Sequence, residues 1–116
     1  MLSHIFYTIG SVVLVLFLFR RITTTTTRRE PRFTFYYVDW CHHCQEAKPE
    51  VAKLKAIVNA HGIPVEILAI DASGRSDIQG YPTLIFTSRT GSQTEYTGPR
   101  TAMAMRDFIV ERMTNN

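Results

Sequence analysis

At 116 residues and 13.3 kDa the chain is one domain's worth of protein. Its net charge of +3 is unevenly spread: residues 1–29 hold four arginines and no acid, whereas residues 30–116 hold nine basic and ten acidic residues, so the folded part lacks the basic face of a nucleic-acid binder. Two cysteines are too few for a disulfide-stapled scaffold, and 45% hydrophobic residues exclude disorder for most of the length.

Residues 2–19 predict a single transmembrane anchor. The run IFYTIGSVVLVLFLF carries no charge, and residues 2–4 extend it to 18 residues. As a helix that length spans about 27 Å, against a hydrocarbon core of about 30 Å. Arg20 and Arg21 follow it and can snorkel to the interface. A cleaved signal peptide fits less well, because no Lys or Arg precedes the run and no small-x-small site follows Phe19. A buried core helix fits worse still, since the segment is not amphipathic. Residues 20–31, with threonines at 23–27, predict a basic, threonine-rich stalk. Arg20, Arg21, Arg28, Arg29 and Arg32 all lie after the apolar run, and the positive-inside rule then puts the folded domain, residues 32–116, on the cytoplasmic side.

From residue 32 onward strand and helix alternate. Residues 32–38 (RFTFYYV) are aromatic and β-branched and predict a buried strand. Residues 46–60 set Ala47, Val51, Leu54, Ala56, Ile57 and Val58 among charged residues at helical spacing, with Pro49 expected to kink the helix and Gly62 to end it. Residues 65–70 predict a second strand. Residues 71–80 are polar and turn-like, with room for one short helical turn. Pro82 leads into a third strand over 83–87, and Thr90-Gly91-Ser92 turns it into a fourth over 93–97. Thr101 is placed to N-cap a last helix with Met105, Phe108, Ile109 and Met113 on its apolar face. This order predicts an α/β three-layer sandwich with a central mixed sheet.

The chemistry concentrates at Trp40-Cys41-His42-His43-Cys44, where the first strand gives way to the first helix. Residues three apart on a helix lie about 5–6 Å from each other, within the Cα range a disulfide accepts. The helix N-terminus offers free N–H groups and the positive end of the dipole, which favour a thiolate at Cys41. His42 and His43 can add donors or positive charge. A stabilised thiolate makes the dithiol form relatively more stable and the pair more oxidising. Cys44, one turn deeper, is the natural resolving thiol. Two other readings of the motif stand beside this one. The cysteines could be structural. Cys41, His42, His43 and Cys44 could bind a metal, although four consecutive donors on one turn point in different directions and no second ligand pair exists elsewhere. His4 and His61 read as surface residues, and Met103, Met105 and Met113 as core or helix surface.

The motif, with Pro49 five residues beyond it and Tyr81-Pro82-Thr83 before a strand, resembles the thioredoxin fold. Gly80-Tyr-Pro-Thr-Leu84, Tyr96-Thr-Gly-Pro-Arg-Thr101 and Pro49-Glu-Val-Ala-Lys53 look more like the catalytic domains of protein disulfide isomerase. The resemblance covers about residues 32–113. It implies that Cys41 attacks, that Cys44 resolves, and that His43 stands where the isomerases keep a histidine. It implies a cis Pro82, with Tyr81 offering backbone hydrogen bonds to an extended substrate and Trp40 beside it. It also implies that Arg100 can swing toward Cys44 and ease its deprotonation. The family buries an acid six residues before the first cysteine, where this chain has Phe35; Asp39 is nearer but lies in the loop. His42 replaces the usual Gly or Pro, and the extra N-terminal strand and helix of thioredoxin are missing.

The expected function is a membrane-anchored thiol–disulfide oxidoreductase poised toward oxidase or isomerase chemistry. It would act on protein thiols and disulfides, with a redox-recycling partner and no metal or organic cofactor. The alternatives are a redox-inactive client-binding module of the same fold and the metal site. Localisation carries a conflict: the arginines favour the cytoplasmic side of the membrane, the isomerase-like motifs a lumenal one.

Overall fold

The computed structural model describes residues 2–22 and 29–115; of the predicted stalk at 20–31, residues 20–22 belong to the first helix and residues 23–28 lie outside the described residues. The elements are α1 (Leu2–Ile22), β1 (Arg32–Tyr37), α2 (His42–Ala60), β2 (Glu66–Asp71), β3 (Thr83–Thr87), β4 (Gln93–Glu95) and α3 (Ala102–Thr114). The four strands form one mixed sheet in the order β2-β1-β3-β4. β1 runs parallel to β2 and antiparallel to β3, and β3 runs antiparallel to β4.

Register decides where the core lies. Phe33 stands opposite Ile67 on one side and Phe86 on the other, and Phe35 opposite Leu84. Cross-strand partners point to the same face, and alternate residues along a strand share it. Phe33, Phe35, Ile67, Leu84 and Phe86 therefore line one face, and all five are buried. α2 packs on this face through Ala47, Val51, Leu54 and Val58, whose spacing of four, three and four keeps them on one stripe. α3 joins the same cluster through Ala102, Met105 and Ile109, with Phe108 and Met113 packed at its margin as the periodicity predicts.

The expected third layer is absent among the described residues. The second face carries Thr34, Tyr36, Leu68, Ile70 and Ile85, and α2 and α3 both lie on the other side. The cause is the connection from β2 to β3. Asp71 accepts hydrogen bonds from the Ser73 amide (2.9 Å) and hydroxyl (2.6 Å), Gly74 has φ +77°, and Arg75 pairs with Asp77. These local bonds favour a turn over the single helical turn expected there. Arg75 instead stacks over the Tyr36 ring at 5.0 Å.

Boundaries shift in two further places. α2 begins four residues before the predicted start, because Cys41 caps it, and it runs on through Pro49. It ends as predicted at Gly62 (φ +63°), where Ile63 N–H reaches Val58 O (2.9 Å) and Gly62 N–H reaches Asn59 O (3.3 Å). This is the glycine-dependent C-terminal pattern of a Schellman motif. β4 is three residues long and stops before Tyr96, whose ring turns into the core.

The predicted anchor falls on α1. Among the described residues no helix is long and apolar enough to cross a membrane. The side chains described in α1 are those of residues 2–17, all exposed. The transmembrane part of the expected architecture is thus not shown.

Candidate active site

The strand-to-helix junction builds the site. Val38, just past β1, is buried and its carbonyl accepts the Cys41 N–H at 3.3 Å. Cys41 then takes extended angles (φ −87°, ψ 116°) and becomes the N-cap of α2. Its Sγ accepts the Cys44 N–H at 3.2 Å. A sulfur thus occupies the capping position that a Ser or Asp oxygen usually fills, facing unpaired amides at the positive end of the helix. Cys41 is 8% exposed and Cys44 0%, and both are free thiols. The Cys44 thiol is pushed up to about 11, first by burial and next by its hydrogen bond with Cys41. The Val38 backbone and the charge of Arg100 pull the other way.

The two histidines share the carboxylate of Glu46. His42 Nε2 lies 3.1 Å from Glu46 Oε1, and His43 Nδ1 lies 3.4 Å from Glu46 Oε2. All three side chains are more than half exposed. Trp40 is 80% exposed, and its ring meets that of Tyr81 edge to face at 5.9 Å. This contact brings the loop before α2 against the loop before β3. The Tyr81–Pro82 bond is cis, as the resemblance implies. Tyr81 OH donates to Ala72 O at 3.2 Å and Thr83 Oγ1 to Gly80 O at 2.6 Å, which pins that loop to the sheet end.

Arg100 sits in the loop before α3. Tyr96 OH donates to Pro99 O at 2.5 Å, and a side chain at Gly98 would meet the Tyr96 ring at 2.7–3.0 Å. Thr101 caps α3 by accepting the Ala104 N–H at 3.3 Å. Glu50 on α2 accepts the Ala102 N–H at 2.8 Å, and this bond, with Lys53 beside it, holds the Glu50 carboxyl below its ordinary range. The loop bearing Arg100 is thereby tied to the helix bearing both cysteines.

Phe35 is fully buried and stacks on Tyr37 at 5.5 Å, so no carboxylate stands at that point of β1. Asp39 stays in the loop, 3.4 Å from Lys48, whose ammonium lies 4.3 Å over the Tyr37 ring. Among the described residues no three His, Cys, Asp or Glu side chains are arranged to hold a metal ion. His61 lies at the far end of α2, exposed and away from the motif. Two residues escaped the sequence reading. Glu46 carried a signal, since it falls three and four residues after the histidines on one helix. Glu50 carried none, because its partner is 52 residues away.

Comparison with known proteins agrees with this architecture. The thioredoxin family model matches residues 24–111. Protein disulfide-isomerase of Ricinus communis is 32% identical over 96 residues, covering 75% of this chain and 19% of that protein. Human protein disulfide-isomerase A4 is 33% identical over 84 residues, covering 66% and 13%. The first thioredoxin domain of mouse protein disulfide-isomerase A4 superposes with a TM-score of 0.66 at 26% identity, covering 75% of this chain and 66% of that one. Zinc-bound human ERp44 shares the fold with a TM-score of 0.65 at 24% identity, covering 74% and 27%. The chain thus spans less than a fifth of the length of these two isomerases. It belongs to the thioredoxin family and is related to isomerase catalytic domains.

Proposed function

Taking thioredoxin-family membership as the premise, we propose that this chain is a thiol–disulfide oxidoreductase acting on protein cysteines through Cys41 and Cys44. One observation carries the reading: Cys41 Sγ occupies the N-cap of α2 while Cys44 lies one turn in, fully buried. A sulfur at the helix terminus is favoured as a thiolate, and thiolates are the attacking species in disulfide exchange. The Cys41 thiolate attacks one sulfur of a substrate disulfide, forms a mixed disulfide and expels the other sulfur as a thiolate. Cys44, once deprotonated, attacks Cys41 Sγ and expels the second substrate thiolate. The products are a Cys41–Cys44 disulfide and two substrate thiols, with two electrons passed to the substrate. The reverse sequence oxidises a substrate dithiol, and interrupted cycles isomerise.

Trp40, Tyr81 and Pro82 form the surface beside the motif on which an extended substrate segment would lie. The raised pKa of the Cys44 thiol makes its deprotonation the demanding step, and the positive charge of Arg100 favours that step. With no buried acid at Phe35, the Cys44 proton leaves to water, and the charge of Arg100 stabilises the thiolate that remains. His42 and His43 bias the pair toward oxidase or isomerase chemistry by adding positive charge near the thiolate. A redox partner must recycle the pair. Reduction of insulin disulfides and refolding of scrambled ribonuclease test the proposal. Wild-type protein should be active and Cys41→Ser inactive; equal rates for the two would overturn it.

Membrane tethering is part of the same proposal. The apolar run, the 21-residue helix α1 and the arginines after the run support it. The arginine flank argues for a cytoplasmic domain and the isomerase-like motifs for an oxidising compartment. Proteinase protection in sealed vesicles separates the two. A second reading, a client-binding module without catalysis, draws on Phe35 standing where an acid would assist Cys44. It predicts that Cys41→Ser retains client binding while the wild type shows no turnover.

A further inference from the structure

The two residues between the cysteines share one partner. Glu46 places Oε1 3.1 Å from His42 Nε2 and Oε2 3.4 Å from His43 Nδ1, so a single carboxylate spans both imidazoles. The two rings lie 5.9 Å apart at 57°, turned toward this carboxylate. Cys41 Sγ, by contrast, takes its hydrogen bond from the Cys44 amide. Helix geometry makes the bridge possible, since residues three and four apart on a helix meet on one face.

We propose that Glu46 is a positioning residue that restrains the oxidising power of the Cys41–Cys44 pair by holding both imidazoles away from Cys41 and offsetting their positive charge. The inference rests on the oxidoreductase reading above and deepens it. A negative charge within one turn of the motif raises the free energy of a nearby thiolate. Held rings cannot turn a donor toward Cys41 Sγ. Both effects act in one direction: they weaken the thiolate, and a weaker thiolate means a less oxidising pair. The dipeptide taken alone points toward oxidase or isomerase chemistry; the carboxylate moderates that bias.

The test is equilibration of the full chain with oxidised and reduced glutathione. In that reaction the Cys41–Cys44 dithiol gives two electrons and two protons to glutathione disulfide, forming the protein disulfide and two molecules of glutathione. Removing an exposed charge contact changes an equilibrium by about two- to fivefold, and Glu46→Gln is expected to shift this one by that factor toward the reduced protein. Asp39→Asn removes another acid near the motif, one that touches Lys48 and neither histidine, and should shift the equilibrium less. In the background of His42→Ala and His43→Ala together, Glu46→Gln should have a smaller effect than in the wild type. An unchanged equilibrium in Glu46→Gln, or an equal shift in all backgrounds, would overturn the inference while leaving the oxidoreductase reading intact. Failure of the wild-type pair to form a disulfide at any glutathione ratio would overturn both.

Discussion

Cys44 and Arg100 set the chemistry that a single residue can report. The Cys44 thiol is pushed up to about 11 by burial first and by its bond with Cys41 second. An unfolded cysteine titrates near about 8.5. Between these values the unfolded chain holds fewer protons than the folded one, so the stability of the dithiol form falls as pH rises through that interval. Below it both states are protonated and Cys44 adds no pH dependence. Urea midpoints of the reduced protein should therefore drop more steeply between pH of about 8 and 10 in the wild type than in Cys44→Ala. Parallel slopes would discount the burial argument. Arg100 acts on the same proton: its charge favours the Cys44 thiolate. Arg100→Ala should lengthen the lifetime of a Cys41–substrate mixed disulfide, seen by quenched-flow trapping, without slowing the first attack by Cys41. Slowing of the first attack alone would place the arginine elsewhere in the cycle. The cysteine pair was legible in the sequence because a strand-to-helix junction is a local pattern. The setting of Cys44 was not, since its burial depends on the sheet and helices around it.

At the level of elements, α2 carries both the site and the largest share of the core it leans on. Leu54 is fully buried at the centre of its apolar stripe. Leu54→Ala is expected to cost about 2–5 kcal/mol, measured by urea denaturation. A cost under about 1 kcal/mol would mean that α2 repacks onto the sheet. α3 depends on its first turn. Thr101 accepts the Ala104 N–H, and Glu50 accepts the Ala102 N–H from across the α2–α3 interface. Thr101→Ala should cost about 1 kcal/mol, typical of a lost N-cap. Periodicity and capping residues predicted both helices, aromatic and β-branched residues predicted β1, and Pro82 marked the entry to β3. The start of α2 was misplaced by four residues, because the capping atom is a sulfur and Cys is a weak cap signal in sequence. The missing helix between β2 and β3 follows from Asp71, Ser73 and Gly74, whose side-chain and glycine geometry closes a turn.

For the whole molecule, the arrangement is a mixed sheet with helices α2 and α3 on one face and a basic, apolar N-terminal segment before it. The N-terminal segment and the redox domain are expected to be separable. Full-length protein expressed in cells should stay with membranes through alkaline carbonate extraction. A chain lacking residues 1–29 should be released and should keep insulin-reductase activity. Release of the full-length protein by carbonate would refute the anchor, and loss of activity on truncation would show that the domain depends on it.

The amino-acid sequence by itself determined what is local: the Trp40-Cys-His-His-Cys44 junction, the order of strands and helices, the glycine that ends α2 and the threonine that caps α3. Spacing and capping act over one or two turns, so they can be read without knowing what lies opposite. The tertiary structure alone decided which loops meet and which face is covered. It joined Trp40 to Tyr81, Glu50 to Ala102 and Phe35 to Leu84, pairs between 41 and 52 residues apart in the chain. It also left both helices on one side of the sheet, against the expected third layer. Such contacts depend on strand register and on burial shared among distant segments, and neither quantity exists until the chain has folded.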